Sequence, residues 1–432
     1  MRGMILDQFT PPPVKTPNKE AVGIRRPALT RLSTFESLKF REFRWLWIGS
    51  LSAFMAMNMA MITRSWLVLR LANDSPLALA LVMMGFAVPV TFISPIGGVL
   101  ADRFSRKSMV MYSQAGNVVL TLILATLDLT GWIRFWHLLA IGALSGLFMA
   151  LNMPSRQALV SDIIPVDKLM NAISLNNSGM NLSRIVGPAV AGLLIIYIDT
   201  AGVFYIVAAF YMCAVLSMAM LKINEQKSLG PAKSVTADIR DVMSYAAGEP
   251  VLMGLIIILF VPALFGFPFA ALLPAWAREA LDVQSDGLGV LLMVMGMGAL
   301  TGSLILASMG NFARRGMLLL ILGVFWGAAL SLFSQVTTYG SAIFFLMLLG
   351  LFSAVFMSLN MTLIQTYVAP EMRGRIMSIT MMTFGAMPLS ALPFGALAER
   401  IGTPNSIGLS GMMLTAFVVI FIILNRGFRK IA

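Results

Sequence analysis

Gly98-Val-Leu-Ala-Asp102-Arg103-Phe-Ser-Arg106-Lys107 sets one carboxylate and three cations between two long apolar runs, Leu77 to Ala101 and Ser108 to Leu127. A run of about 20 apolar residues crosses a bilayer as a helix, so the stretch reads as a loop joining two membrane helices. Gly98 lets neighbouring helices approach closely. Asp102 can accept hydrogen bonds from the exposed amides at the start of a facing helix, and Arg103, Arg106 and Lys107 sit where a cytoplasmic loop carries its cations.

The rest of the chain agrees with that loop. With 58% hydrophobic and only 12% charged residues, the composition excludes a soluble globular domain. Twelve spans can be read, at 45–71, 77–101, 108–128, 136–157, 170–197, 202–222, 250–275, 287–308, 316–334, 340–364, 375–399 and 405–425. Of the 31 Lys and Arg, 25 fall in the termini and the even-to-odd connections, four in the opposite set (Arg70, Arg134, Arg278, Arg400) and two, Arg64 and Arg184, inside spans. That bias predicts cytoplasmic termini. The net charge of +12 is spread over loops with no basic-aromatic platform, which argues against nucleic acid.

The expected organisation is a disordered cytoplasmic tail over 1–43, with Thr10-Pro-Pro-Pro-Val-Lys-Thr-Pro17 extended, and a six-helix bundle over 44–222. A cytoplasmic linker over 223–249 and a second bundle over 250–432, ending in a short cytoplasmic tail, complete it. Cys213 is the only cysteine and reads as a small packing residue. No metal or cofactor motif is present, and neither is the spacing of a metalloprotease or serine-hydrolase motif, so no enzyme is expected.

The halves repeat. Asn152-Met153 with Gln157 recurs as Asn360-Met361 with Gln365, and Arg106-Lys107 as Arg314-Arg315, both 208 residues on. Six spans per copy give a parallel repeat with the substrate path between the halves. Gly310 stands where Asp102 would be, so only the first half keeps the loop carboxylate; Gly395-Ala-Leu-Ala-Glu399-Arg400 breaks the offset and belongs on the outer face.

The loop resembles the signature between helices 2 and 3 of the major facilitator superfamily. Gly187-Pro188-Ala-Val-Ala191-Gly192 resembles the Gly-Pro-x-x-Gly-Gly motif of its antiporters, and can equally be a packing kink. Pro154-Ser-Arg156-Gln-Ala-Leu, Ile164-Pro-Val-Asp-Lys-Leu-Met-Asn171-Ala, Arg373-Gly-Arg-Ile-Met-Ser378 and Leu-Ala-Asn-Asp-Ser-Pro76 resemble the enterobactin-exporter and macrolide-efflux branch. The resemblance implies two six-helix bundles in a bacterial inner-membrane exporter of a bulky, aromatic or anionic molecule, siderophore-like or drug, by proton-coupled antiport. A monomer is expected. Importing an organic anion, or serving as a transport-dead sensor, are the alternatives. In that frame Asp102 latches onto the start of the eleventh helix near Gly374 and Arg375, with Arg156 at the end of the fourth helix as its pair.

Asn177, Asn181 and Arg184 fall at i, i+4 and i+7 on the fifth helix and share a face. No Asp or Glu occupies the middle of a span, and a buried arginine is costly without a partner. Arg184, Asn181 and Asn177, with Arg64 nearer the outer mouth and Asn58 and Asn360 in the first and tenth helices, are therefore the candidate substrate-binding residues; the alternative is a guanidinium bonded to backbone carbonyls. His137, between Trp132 and Trp136 and the interface, reads as part of an aromatic belt. Met55, Met57, Met59 and Met61 could line a pocket for varied aromatic ligands or fill the core.

Overall fold

The structure is a computed structural model describing residues 36–223, 245, 248–309, 314–369, 372–425 and 428; within these, the side chains of 95–103, 166–167, 373–375, 377–386 and 388 are not described. The tail up to residue 35, the linker at 224–244 and Gly310 lie outside the described residues.

A 3-10 turn at Glu36–Lys39 precedes α1 (Arg41–Leu71), α2 (Pro76–Arg103), α3 (Arg106–Leu129), α4 (Phe135–Ile163), α5 (Val166–Ala219), α6 (Pro250–Phe265), α7 (Pro268–Leu281), α8 (Ser285–Ser308), α9 (Arg315–Ser334), α10 (Tyr339–Tyr367), α11 (Arg373–Ile401) and α12 (Thr403–Leu424). No strand occurs among the described residues. Ten stretches among them are long and apolar enough to cross a membrane, with α6 and α7 counted as one, Pro250–Leu281. The Arg41 end of α1 defines the proximal side and the Leu71 end the distal side.

Helix α5 is 54 residues long, about 80 Å at 1.5 Å per residue, more than twice a hydrocarbon core. It is two antiparallel arms. Along α1, Trp47 donates its indole N–H to the Leu175 carbonyl (3.2 Å), while Ser52 donates to the Cys213 sulfur (3.4 Å) and Arg70 reaches Asp199 (3.0 Å). Residues 175 and 213, on either side of Asp199, thus both lie along the first half of α1, and the chain reverses at Asp199, the one non-helical residue inside the helix (φ 55°, ψ 176°). Other distal turns use the same device at Asn73, Asp74, Gly131, Asp282 and Gly402, all with positive φ, where Asn, Asp and Gly tolerate the left-handed region best. Counting both arms of α5 and the 29-residue α11, the order accommodates twelve crossings.

Pro262 and Pro268 break the seventh span at Gly266 and Phe267 into α6 and α7. Trp276 and Trp326, both fully buried, anchor the second half's core against Phe333, Phe356 and Phe267.

The halves meet at the distal side. α5 packs on the start of α8, where Ser285 donates to the Gly192 carbonyl (3.0 Å). The start of α2 packs on the end of α11, with Gly395 against Ala80 and Pro76. Above them Ser75 hydrogen-bonds Glu399, and Arg278 approaches Asp74 (3.9 Å) while lying over the Trp66 ring (5.4 Å). Glu399 thus sits on the distal face, as its broken repeat offset predicts.

Candidate functional site

Ser105 caps α3 by accepting from the Ser108 amide (3.1 Å), so the helix begins within the charged loop. Arg106 then pairs with Asp162 at the end of α4 (2.8 Å), and Lys107 donates to the Leu221 carbonyl beyond α5 (2.6 Å). These two of the expected gating cations tie together the proximal ends of the first half. The side chains of Gly98, Asp102, Arg103 and Arg375 lie outside the described residues.

Within the first half, α1, α2, α3, α4 and the second arm of α5 enclose a cavity of about 310 Å³. Its walls are apolar and polarizable: Phe54, Met57 and Met61 from α1, Met83 and Phe86 from α2, Met149 and Met153 from α4. Its polar lining is Asn58, Arg64 and Ser65 from α1, Gln114 and Asn117 from α3, Ser145, Asn152 and Arg156 from α4, and Tyr211 from α5. Among the described residues, two cations and no carboxylate line it.

Arg156 is 5% exposed, and its guanidinium lies over the Phe54 ring at 5.1 Å. Among the described residues neither Arg156 nor Arg64 makes an ion pair or hydrogen bond, and the buried Nε of each has no partner. An arginine inside a span costs at least ~2.5 kcal/mol on insertion scales, and a cation over an aromatic face returns roughly 0.5–2 kcal/mol. Arg64 has no such contact to offset its burial. Buried Gln114 likewise leaves its Oε1 unpaired. The cavity therefore holds two guanidinium groups and an amide oxygen whose hydrogen-bonding capacity is unspent.

The sequence places Arg156 at the end of the fourth helix, paired with Asp102, whose side chain lies outside the described residues; α4 runs on to Ile163, so Arg156 lies two turns inside. Asn360 departs from its expected place. It is fully buried in the other half and donates to the Leu255 carbonyl (3.2 Å), tying α10 to α6, whereas its repeat mate Asn152 lines the cavity and donates to the Val110 carbonyl (3.4 Å). Asn58 lines the cavity, with its amide spent on the Phe54 carbonyl (2.8 Å).

Asn177, Asn181 and Arg184 do not line the cavity. All three are exposed on α5, on the face that higher up meets α8: a Cβ on Gly296 would reach the Ile185 side chain (2.9 Å), and one on Gly289 the Pro188 carbonyl (2.7 Å). Arg184 and Asn181 lie four and seven residues before Pro188, so α8 leaves them uncovered. The end of α8 is open too, with Leu300, Leu304 and Ile305 exposed. Gly187, Pro188 and Gly192 form the seal above: Gly187 against Asn58 of α1, Pro188 and Gly192 against Ser285 and Gly289 of α8.

His137 accepts from the Arg134 amide through Nδ1 (2.9 Å) and lies tilted against exposed Trp136, ring centroids 3.8 Å apart, away from the cavity. Tyr211, Gln114 and Asn117 escaped the sequence reading. The signal available was a lone polar residue, or a pair three apart as in Gln114 and Asn117, inside an apolar run.

A helical membrane chain whose halves, among the described residues, close at one face, and whose first half holds a cavity lined by cations and aromatic side chains, has the build of a transporter. The family described as transmembrane secretion effector matches residues 32–429, and the chain belongs to it, within the major facilitator superfamily. It is a transporter and not an enzyme. Similar proteins include the staphyloferrin A transporter of Staphylococcus aureus (23% identity over 91% of this chain and 96% of the relative) and macrolide efflux protein A of Streptococcus pyogenes (25%; 89% and 96%). The enterobactin exporter of Shigella boydii is 26% identical over 89% of this chain and 90% of its own. Among solved structures, a peptide transporter (TM-score 0.71, 14% identity, 90% of this chain and 95% of that one) and the nucleoside transporter NupG (0.69, 14%, 90% and 98%) share the fold.

Proposed function

We propose that this protein exports an anionic or aromatic small molecule, siderophore-like or drug, across a bacterial inner membrane by proton-coupled alternating access, with both termini cytoplasmic. The observation that carries the reading is the distal seal above an uncovered proximal face of α5, beside a cavity with two unpaired guanidinium groups. With the proximal side cytoplasmic, substrate enters from the cytosol and leaves when the 44–222 and 250–432 bundles rock about the seal. The names of the staphyloferrin A, enterobactin and macrolide relatives support export of such molecules. The test compares metabolites in medium and cytosol between a deletion strain and its parent. An anionic or aromatic compound should move from medium to cytosol on deletion; an unchanged distribution would overturn the reading.

Two variants probe the path. Asp102→Asn should cut flux about ten- to a hundredfold at equal membrane abundance, since a hydrogen bond to a charged group contributes roughly 1.5–3 kcal/mol; wild-type flux would remove the latch. Arg184→Ala should raise KM for an anionic substrate about tenfold and leave that of a neutral analogue alone, with Arg184→Lys recovering part, because a point charge replaces a planar fork. Equal loss for both substrates would make Arg184 a structural strut.

A further inference from the structure

We infer that the first-half cavity is a two-point anion site, and that its ligand is a flat, apolar dianion with one acidic group at each end. The inference rests on the transport reading and narrows its substrate class. Arg156 and Arg64 both face the cavity, with Tyr211 within electrostatic reach of both. Phe54, which Arg156 covers, and Arg64 are ten residues apart on α1, about 15 Å along its axis. On that offset the two cations are assigned to opposite ends of the cavity, each with its own acidic group.

The stacking of Arg156 decides how it binds. One face of its guanidinium is taken by Phe54, which leaves the in-plane terminal N–H groups to fork onto a carboxylate. Arg64, which also lines the cavity, offers a second guanidinium. Between them the wall is Phe86 with methionines, which suits a planar apolar body and offers it no charge. Two like charges in one low-dielectric cavity also disfavour a cation, so the site selects by sign as well as by shape.

Titration calorimetry on the purified full chain in phosphatidylcholine nanodiscs would use three probes: biphenyl dicarboxylate, biphenyl monocarboxylate and the neutral biphenyl dicarboxamide. The dicarboxylate should bind at least about tenfold tighter than either of the others, the range of one charge-assisted hydrogen bond. Arg64→Gln and Arg156→Gln should each bring it down to the monocarboxylate level, a larger loss than the dicarboxamide suffers, and Arg64→Lys and Arg156→Lys should recover part. Equal binding of the three probes by the unmodified protein, or binding of none, would overturn the site without recourse to any variant. Phosphatidylglycerol discs separate the sources of the anion: a dicarboxylate preference erased by that lipid would assign the site to a headgroup and overturn a soluble dianion. Loss of the preference in a protein that still exports strikes this inference alone; an intact preference in a protein without flux strikes the transport reading alone.

Discussion

Gly192→Val is expected to abolish net transport while the protein still folds and inserts. A Cβ at Gly192 would stand 2.3 Å from the Ser285 carbonyl oxygen and 3.1 Å from the Gly289 Cα, so it meets backbone, which cannot swing aside. The same contact carries the 3.0 Å hydrogen bond from Ser285 to the Gly192 carbonyl. It joins the two halves, so the clash acts only on the distal-closed state. Overpacking costs roughly 1–3 kcal/mol, and that difference between two states shifts their balance about 5- to 150-fold. The variant should accumulate with its distal side open. In a Cys213→Ser background, Ser65→Cys in the cavity should gain reactivity toward an impermeant maleimide from the distal side, while Asn177→Cys on the proximal face of α5 loses it. Gly192→Ala should fall between. Unchanged labelling with full transport would show that the seal has room to give and does not gate.

The seal shows what a sequence carries and where it stops. Gly187, Pro188 and Gly192 were legible as a place where something approaches closely, because proline and small residues in an apolar run have few other uses. That α8, more than 90 residues on, supplies Ser285 and Gly289 was not legible, since one helix's small residues do not name their partner. The turn at Asp199 was legible as the gap between the spans at 170–197 and 202–222. In contrast, the cavity draws scattered side chains from five helices, and hydropathy averaged over a span hides its polar members. Arg156 was misplaced because span ends are read from composition, while helices run on past the bilayer core into the loops: α4 continues six residues beyond 157. Arg184 was visible as a costly cation, yet whether its face meets α8 or opens to the cleft depends on how far the two halves have closed, which no local pattern encodes.

Replacing Arg70 by leucine is expected to destabilise the first half more than replacing Arg70 and Asp128 together. At the distal end of this half Arg70 reaches from α1 to Asp128 of α3 and forks onto both carboxylate oxygens of Asp199 (3.0 and 3.1 Å), where α5 reverses. Thr200 donates its hydroxyl to Asp128, whose side chain is 1% exposed against 42% for Arg70. Deleting the arginine strands a buried carboxylate. Such a break costs about 3–5 kcal/mol when both partners are buried; with Arg70 two-fifths exposed, solvent screens part of the pair and roughly 2–3 kcal/mol is the better expectation. Arg70→Leu with Asp128→Leu leaves no buried charge, so the double variant should recover a large share of that loss, a non-additivity that a double-mutant cycle reads directly. Unfolding of the purified variants in a mild detergent titrated with a denaturing one, followed by tryptophan fluorescence, supplies the four stabilities. Additive losses would show that Asp128 is solvated well enough to stand alone, and that the reversal at Asp199 is held by the packing of its two arms and not by the charge between them. A large coupling, with transport per folded molecule unchanged, would assign the cluster to holding three helices in register and leave gating to the contacts between the halves.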